Sequence, residues 1–535
     1  MFKGYVTKYF FRGLLTGINV SNKAIVSMNM KKYVTCVFIV IVAFAKISFA
    51  QSKQTYTPKI EACDCRFRVD SNFLKIAPKK LQTIFSNPLN KIDSSFETKC
   101  GYLIVPENRN KKNSNLVKLP FIVVKSKNPD KKKDPILYTA GGPGVSSVGW
   151  AVGITRSELI KNRDCIALEQ RGTLYALPSL RTFELDKAIK ESYRKNLPKD
   201  SMVIVGLKQY KKKLEEKGID LSGYNTDETV SDIHDLLSVL KIDSVNLYGG
   251  SYSGGLMTAV LQKDPSRIRS LVLDSPLPTF VPIDEDESAN FNEALNILFR
   301  HVEQDSTDKA KYGNLKNRFQ QYFTSIIGKK FYLPYLEVGT TDSIKIEYTK
   351  NELIDIIYDS LSDPAQLKHA ARLITEIIDG HHTPYMKKKF DDLFRKDQAP
   401  DGMRISVCCA DETGYHSEAV RQRLNDAYPY MARYHANDVY KEMCDCWKVP
   451  PIKLSTKLPL YSNKPVLLAD GEMDSHCRPL YMDMIHHYMP NSQRLLFMGG
   501  THMVLFGREG ARLVKQFLDD PYKKVEPTNK NVIVY

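Results

Sequence analysis

The chain has 535 residues, of which 42% are hydrophobic and 26% are charged, and its formal net charge is +16 at pH 7. This composition is typical of a globular protein and excludes a disordered or fibrous chain, and the length allows a large core and more than one domain. The lysines occur in short runs without interleaved aromatic residues, so we expect solvated loops and helix faces there and no nucleic-acid partner.

The first 50 residues carry the features of an export signal. A basic stretch, Met30–Lys32, precedes an apolar run, Tyr33–Ala45, and small residues follow at Ser48 and Ala50. The run is too short to span a bilayer comfortably, so we predict a secretory signal peptide over about residues 30–50, preceded by an N-terminal extension. An uncleaved anchor is the alternative. The mature protein is then periplasmic or secreted, has no stable membrane insertion and keeps a net charge of +9.

Seven of the nine cysteines outside the signal fall into two groups. The first is a C-x-C pair followed by a single cysteine, and the second is an adjacent pair followed by a C-x-C pair. In an oxidising compartment this predicts a disulfide from either member of the first pair to Cys100, and another between the two pairs of the second group. A zinc site is disfavoured because histidines at ligand spacing are lacking, and the odd number leaves a free thiol, for which Cys165 is the candidate. The groups are Cys63, Cys65 and Cys100, and Cys408, Cys409, Cys444 and Cys446.

From about residue 100 to residue 282, short apolar segments alternate with amphipathic helices. On the helix Asp227–Leu240, for example, Val230, Ile233 and Leu237 share one face. Such alternation predicts a mostly parallel, doubly wound α/β sheet with helices on both faces. The predicted strands are Tyr102–Val105, Val117–Lys125, Pro135–Thr139, Asp164–Leu168, a strand from Val245, Ser270–Leu273, Pro465–Ala469 and Arg494–Phe497.

Between about residues 283 and 455 this alternation stops. The segment is rich in helical patterns and in Lys, Tyr and Asp, and it lacks obvious buried strands. Because it is too long for a loop in a compact domain, we predict an inserted helical cap. Residues 51–99 then form an N-terminal segment, and residues 100–282 and 456–535 form the two parts of the core, with Gly507–Leu518 as the last helix.

The segment Val245–Gly255, with the sequence VNLYGGSYSGG, carries the strongest signal in the chain. An apolar run ends in two glycines, a serine and an aromatic residue, and a helical pattern follows. This order predicts a strand, a strained turn and a helix, which is the nucleophile elbow of α/β-hydrolases and makes Ser251 the candidate nucleophile. The usual pattern has glycine two residues after the serine, where this chain has Ser253. Ser253 is therefore the alternative nucleophile.

A serine hydroxyl needs a base to take its proton and an acid to orient that base. In this fold both follow the serine, the acid first and the histidine second, each in a loop after a strand. Asp474 comes shortly after a predicted strand, and His502 lies in a glycine-rich loop after the last one. They are the candidate acid and base. The competitors of Asp474 are Asp470, Glu472 and Asp274.

A tetrahedral intermediate needs hydrogen-bond donors for its oxyanion. One candidate donor is the backbone N–H of Tyr252, the residue after the nucleophile. The second is expected from a loop after an earlier strand, where residues 141–144 have the sequence GGPG. Glycine there lets the backbone approach the substrate, so Gly142 is the second candidate donor.

Five short strings stand out along the chain. They are GGPG at 141–144, EQRGT at 169–173, GGSY at 249–252, and a late G-x-x-D and G-x-x-H that end at Asp474 and His502. Together they resemble the proline iminopeptidase and tripeptidyl aminopeptidase group of α/β-hydrolases, over a stretch from about Cys100 to the final helix. The chain departs from more typical members at Glu169, where they have Asp, and at Ala140, where they have His.

The resemblance implies an enzyme that releases N-terminal residues or short peptides and needs no metal or organic cofactor. Such an enzyme must hold a free α-ammonium, which cap carboxylates do in relatives, and Asp411 and Glu412 are the candidates in this chain. The other interpretation of these acids is a surface position or a helix N-terminus. Glu169 is an alternative ligand, or an ion-pair partner of Arg171. The resemblance also implies that the second disulfide is Cys409–Cys444.

We therefore expect an exported serine aminopeptidase with an α/β-hydrolase fold, acting on peptides through a Ser251–Asp474–His502 triad and an acyl-enzyme. A carboxylesterase or lipase acting on small esters is the alternative, because ester and amide hydrolysis share this machinery and the cap selects between them. A non-catalytic binding protein on the same fold is a third hypothesis, which the complete triad disfavours.

Overall fold

The protein is built on a mixed sheet of ten strands. The computed structural model describes residues 56–69, 92–395 and 402–535, so the predicted signal peptide at about 30–50 lies outside the described residues. In chain order the strands are β1 (Lys59–Cys63), β2 (Thr98–Pro106), β3 (Leu116–Val124), β4 (Ile136–Thr139), β5 (Cys165–Leu168), β6 (Val245–Gly250), β7 (Ile268–Asp274), β8 (Phe331–Leu336), β9 (Ser343–Tyr348), β10 (Val466–Gly471), β11 (Ser492–Phe497) and β12 (Val532–Val534). Strands β8 and β9 form a separate hairpin.

The order across the large sheet is β1-β2-β3-β5-β4-β6-β7-β10-β11-β12. All neighbours from β5 to β11 in this order pair in parallel, whereas the pairs at the two ends are antiparallel. Strand β4 has β5 on one side and β6 on the other, so the strand order reverses there. Open α/β sheets bind ligands at the carboxyl ends of strands next to such a switch point, which is where the GGPG string and Ser251 lie.

The central strands are buried because alternate side chains enter two different cores. In β10, Leu467 and Ala469 pack into the core on one face, and Val466 and Leu468 pack into the core on the other. Burying a side chain of this size contributes about 1.5–3 kcal/mol. This two-sided burial explains why the strands read as continuous apolar runs in the sequence.

Helices cover the sheet and fill the segment between β7 and β10. Before that segment they are α1 (Trp150–Ile154), α2 (Glu184–Lys195), α3 (Lys199–Glu216), α4 (Thr226–Val239) and α5 (Tyr252–Lys263). Within it they are α6 (Ile283–Gln304), α7 (Ser306–Tyr312), α8 (Leu315–Ser325), α9 (Lys350–Ser362), α10 (Pro364–Leu367), α11 (Ala370–Ile378), α12 (Thr383–Arg395), α13 (Gly402–Cys408), α14 (Glu418–Ala427) and α15 (Lys441–Trp447). After it come α16 (Leu480–Tyr488) and α17 (Arg508–Asp519). In the described parts of the chain, no helix is long and apolar enough to cross a membrane.

The cap segment, residues 283–455, has an apolar core of its own around Phe291, Phe319 and Phe323. It also contains the β8–β9 hairpin, which the sequence analysis did not predict. Strand β8 has the sequence FYLPYL and alternates between exposed and buried side chains. Pro334 interrupts the apolar run of β8, and β9, with the sequence SIKIEY, alternates polar and apolar residues, so neither segment reads as a buried strand.

Two helices that precede the nucleophile pack with the cap segment. Leu207 and Tyr210 of α3 share one apolar cluster with Met443 and Trp447 of α15, and the Tyr210 and Trp447 rings lie 5.4 Å apart. Helix α2 packs beside α3 and places Tyr193 in the cap core. The structure thus adds α2 and α3 to the predicted cap, because their apolar faces pack against residues of that segment.

Two disulfides join four of the cysteines, and they lie in the predicted groups. Cys65 pairs with Cys100, and Cys409 pairs with Cys444, as the resemblance implied for the second bond. Cys63 lies directly opposite Cys100 in the β1–β2 ladder, yet it remains a free thiol. Within the described residues, the other free thiols are Cys165, Cys408, Cys446 and Cys477.

We predict that the Cys409→Ala/Cys444→Ala double variant is less stable by about 2–4 kcal/mol, because a disulfide restricts the unfolded chain. The bond closes a loop between residues 35 apart. Urea denaturation of the oxidised proteins measures the change in the free energy of unfolding. Cys446→Ser, which alters a free thiol two residues from Cys444, is the matched control and should change it by less than about 0.5 kcal/mol. Equal stability of the double variant and the parent would contradict the prediction.

Candidate active site

Ser251 occupies a strained turn between β6 and α5. Its backbone has φ of 55° and ψ of −131°, a region that residues with a side chain rarely adopt. The turn requires close packing, since a Cβ on Gly249 would collide with the backbone oxygen of Ser253. The Ser251 N–H donates to the Asp274 carbonyl at 2.9 Å, which ties the turn to the neighbouring strand. These features are those of a nucleophile elbow.

Ser253, the alternative nucleophile, is placed very differently from Ser251. Its side chain has no exposed surface and its hydroxyl bonds to the Thr139 hydroxyl. Ser251, by contrast, lines a cavity that also contacts His502. The hydroxyl of Ser253 explains why serine replaces glycine here, because the end of β4 offers it a hydrogen-bond partner.

His502 and Asp474 form a short hydrogen bond. His502 Nδ1 lies 2.6 Å from Asp474 Oδ2, and Asp474 Oδ1 accepts the N–H groups of His476 and Cys477, both at 2.8 Å. Burial opposes ionisation of Asp474, but the charge and the hydrogen bond of His502, together with a hydrogen bond from Asp470, outweigh it and hold the pKa of Asp474 below its usual range. Burial likewise works to lower the pKa of His502, and Asp474 reverses this and raises it.

The competing acids have other partners. Asp274 accepts the N–H of Val504 at 2.9 Å and that of Leu505 at 3.1 Å, so it holds the loop after His502, and burial raises its pKa to about 7. Asp470 accepts a hydrogen bond from Ser275. Glu472 lies 3.2 Å from His301. Of the four acids, Asp474 is the one that bonds to the imidazole of His502.

Both candidate oxyanion donors line the cavity. Tyr252 is the first residue of α5, so its N–H belongs to the positively polarised helix N-terminus. Gly142 follows β4 with φ of 110°, which favours glycine. The guanidinium of Arg404, from the cap segment, donates to the Gly142 carbonyl and is anchored by Asp438, with Nε at 2.7 Å from Oδ1. The cap therefore fixes the loop that would hold the oxyanion.

The cavity has a volume of about 480 Å³ and lies between the sheet edge and the cap. Its lining combines apolar side chains with charged and polar groups, several of which come from the cap segment. The apolar side chains include Tyr138, Val145, Leu277, Val407 and Phe506, and the polar groups include Glu287, Arg404, Glu412, Asn437 and His476.

The two acids proposed for the α-ammonium occupy different places on one turn of π-helix, Cys409–Thr413. Glu412 lines the cavity, 3.4 Å from Lys457 Nζ, and burial raises its pKa. Asp411 is buried behind Tyr252, where Thr226 bridges the Asp411 carboxyl and the Tyr252 hydroxyl. Burial raises the pKa of Asp411 to about 7. Glu412 is thus placed to meet a ligand, whereas Asp411 supports the wall.

Glu169 lies outside the cavity, so the structure does not place it as a substrate ligand. Its side chain has no exposed surface. One oxygen accepts the N–H groups of Ser147 and Val148, and the other accepts the Thr173 hydroxyl. It also does not pair with Arg171, whose guanidinium bonds to Asp232 at 2.7 Å. Glu169 holds two loops together because buried N–H groups need acceptors.

Three residues of the site were missed by the sequence analysis. Glu287 and His476 line the cavity, and Tyr358 bonds to both from behind. They are 71 and 118 residues from Tyr358 along the chain, so no local spacing connects them. The one available signal was the D-x-H string that places His476 two residues after Asp474.

Family models match two parts of the chain. Residues 134–307 match a model described as alpha/beta hydrolase fold, and residues 428–529 match one described as TAP-like protein. No curated protein matches the sequence.

Solved structures similar to this chain include two hydrolases. A proline iminopeptidase from Mycobacterium smegmatis is 13% identical over 76% of this chain and 96% of its own, with a TM-score of 0.36. An esterase from Thermogutta terrifontis is 12% identical over 79% of this chain and 99% of its own, also with a TM-score of 0.36. Similarity at this level supports no inference about activity.

The sheet order, the elbow and the two family matches agree on one assignment. The chain is a hydrolase of the α/β-hydrolase superfamily that carries a TAP-like segment at residues 428–529.

Proposed function

We propose that this hydrolase is an exported serine aminopeptidase that releases N-terminal residues or short peptides. The observation that carries the proposal is the cavity, which brings Ser251 and His502 together with two cap carboxylates, Glu287 and Glu412. A serine and a histidine oriented by an acid can cleave an acyl bond, and buried carboxylates can hold a cation. The two disulfides support export, because such bonds persist in oxidising compartments.

In the proposed mechanism, His502 acts through Nε2, since Nδ1 is bonded to Asp474. Nε2 takes the proton of the Ser251 hydroxyl while Oγ attacks the carbonyl carbon of the scissile bond. The N–H groups of Tyr252 and Gly142 bind the oxyanion. The imidazolium then gives its proton to the leaving amine, which departs and leaves an acyl-enzyme. Water activated by the same nitrogen releases the N-terminal product and restores Ser251.

The cap carboxylates would select the free N-terminus. Glu287 is buried, and burial raises its pKa to about 7. Glu412 is buried as well and faces one lysine at 3.4 Å. An ionised carboxylate in a buried site is costly unless a cation compensates it. Lys457 already pairs with Glu412, so a bound ammonium would mainly remove the cost of ionising Glu287. A substrate with an acylated N-terminus lacks this charge and should bind more weakly.

Ser251→Ala should abolish hydrolysis, whereas Ser253→Ala should keep most of it. The first variant removes the nucleophile, and the second removes a buried hydroxyl that bonds to Thr139. The measurement uses the mature protein and matched chromogenic anilides of Pro, Ala and short peptides, with the α-amine free or acylated. We expect Ser251→Ala to lose activity and Ser253→Ala to keep it. We also expect the parent protein to cleave only the anilides with a free α-amine. Equal cleavage of acylated and free anilides, or cleavage of esters alone, would contradict the aminopeptidase proposal and favour an esterase.

Asp474→Asn should lower kcat by about 10³–10⁴-fold, because the imidazole loses the group that fixes its tautomer. Asp474 raises the pKa of His502, so the residual activity should reach half its maximum at a lower pH than in the parent. The kcat/KM profile from pH 5 to 9 measures the shift. Glu472→Gln, which alters an acid near Asp474 that bonds to His301, should leave the profile unchanged. A midpoint at higher pH in Asp474→Asn would contradict the assignment.

Glu287→Gln and Glu412→Gln should each raise KM for free-amine anilides by about tenfold, because each loses a charge that holds the ammonium. The kcat for a small activated ester without an amine should change by less than about threefold. Glu293→Gln is the control on the same helix, since its partner is Arg478. An equal loss on both substrate types would indicate a general distortion of the cavity and would count against amine recognition by these residues.

A further inference from the structure

A buried series of hydrogen bonds connects the cap carboxylate Glu287 to a second histidine. Glu287 Oε1 lies 2.9 Å from the Tyr358 hydroxyl, which lies 2.7 Å from His476 Nδ1. Glu287 and His476 line the cavity, while Tyr358 lies behind them in the cap core. The His476 ring lies 5.0 Å from that of His502. His476 is therefore beside the proposed base, with its Nδ1 turned to Tyr358 and its Nε2 left for the cavity.

The Tyr358 hydroxyl has one proton, and its two closest neighbours are Glu287 and His476, with the Ser475 carbonyl farther away at 3.4 Å. If it donates to an ionised Glu287, its oxygen must accept from His476 Nδ1–H, and Nε2 then carries a lone pair. If Glu287 is protonated, it donates to Tyr358, Tyr358 donates to Nδ1, and Nε2 carries the hydrogen. The state of Glu287 thus decides whether Nε2 accepts or donates a hydrogen bond.

We infer that Glu287, Tyr358 and His476 act as one unit that recognises the α-ammonium of the substrate, with His476 Nε2 as an acceptor beside the Glu287 carboxylate. The inference rests on the proposed aminopeptidase function and adds a neutral ligand to its two carboxylates. An ammonium has three N–H donors and no acceptor. Glu287, Glu412 and His476 all line the cavity and offer acceptors to such a group, whereas a neutral acylated N-terminus offers a single N–H.

His476 suits this role because it stays neutral. Burial and the charge of His502 lower its pKa to about 4, so Nε2 can accept near neutral pH. The main charged or titratable groups around the unit are few. Around Glu287 they are Arg404, Asp438 and Asp284, around Tyr358 they are Tyr434 and Asp474, and around His476 they are His502, Asp474, Arg404 and Asp438.

The two states differ by one proton. From the accepting state, a proton that arrives at His476 Nε2 releases the Nδ1 proton to the Tyr358 oxygen, and the Tyr358 proton passes to Glu287. The products are neutral Glu287, an intact tyrosine hydroxyl and the Nε2–H tautomer. No other bond changes.

The consequence is a bell-shaped dependence of ammonium binding on pH. Below a pH of about 7, Glu287 takes up a proton, its charge is lost and Nε2 becomes a donor that repels the ammonium. Above about 8, the α-amine of the substrate loses its own proton. We therefore expect 1/KM for free-amine anilides to be largest between these values.

Tyr358→Phe tests the unit without changing a cavity wall. It uncouples His476 from Glu287 and removes a hydrogen bond that lowers the pKa of Glu287. We expect KM for free-amine anilides to rise about tenfold, the acid limb of 1/KM to move to higher pH, and the kinetics on an amine-free ester to change by less than about twofold. Ser362→Ala, which removes a hydrogen bond from the same helix to Ser475, is the control and should change none of these.

The outcomes distinguish a failure of this inference from a failure of the proposed aminopeptidase function. If the parent protein prefers free amines and Tyr358→Phe leaves both KM and the acid limb of the 1/KM profile unchanged, the inference about the three-residue unit is wrong and the aminopeptidase proposal stands. If the parent protein shows no preference for a free amine, both the inference and the aminopeptidase proposal are wrong. Should Tyr358→Phe not fold, ¹⁵N NMR of the parent, with His476→Gln to assign the signals, reports the tautomer directly. A hydrogen on Nδ1 above pH 7 and on Nε2 below it is expected, and a tautomer that does not change with pH would overturn the inference.

Discussion

Asp274, the last residue of β7, joins the loop of the candidate nucleophile to the loop of the candidate base. Its carbonyl accepts the Ser251 N–H at 2.9 Å, and its carboxyl group accepts the N–H groups of Val504 and Leu505, just after His502. The two loops follow different strands, and each has a residue at positive φ, Ser251 and Met503. Such conformations persist only where their surroundings fix them. Asp274, together with Ser275, whose hydroxyl accepts the Met503 N–H at 2.9 Å, therefore helps to fix the relative position of Ser251 and His502.

Three buried aspartates lie near His502, and their hydrogen bonds give them different roles. Asp474 bonds to the imidazole, and the pKa of Asp474 lies below its usual range. Asp274 bonds to backbone N–H groups and Asp470 to the Ser275 hydroxyl, and burial raises the pKa of both. Neighbouring carboxyl groups in a site of low polarity cannot all ionise at little cost. Asp474 stays charged because it bonds to His502, whereas burial and the charge of Asp474 raise the pKa of Asp470, which also hydrogen-bonds to Asp474, and the pKa of Asp274.

The core and the cap contribute different parts of the cavity. The strand ends supply Ser251, Asp474 and His502, whereas the cap supplies Glu287, Glu412 and Arg404. The Arg404 guanidinium reaches back to the Gly142 carbonyl, and Glu412 accepts the N–H of Ile283 at 3.1 Å. Arg404 thus attaches the cap to the loop that would stabilise the transition state, and Glu412 is bonded to the start of the helix that carries Glu287. Differences between related hydrolases in what they cleave would then arise mainly in the cap.

The sequence alone determined the features that have a local origin. The strands around β6 and β10 were readable because they are buried on both faces and therefore apolar, and the order of Ser251, Asp474 and His502 follows from loops that end strands. The hairpin β8–β9 was not predicted from the sequence, because its strands are half exposed and do not resemble buried strands. Glu169 and Asp411 were read as possible ligands because a sequence shows an acid but not which N–H or hydroxyl it meets. The sequence favoured Asp474 but left Asp274 as a competitor, and only the tertiary structure shows which of them bonds to His502. It alone also assembles Glu287, Tyr358 and His476 from three distant segments. Those choices depend on hydrogen bonds and burial between residues that no spacing along the chain relates.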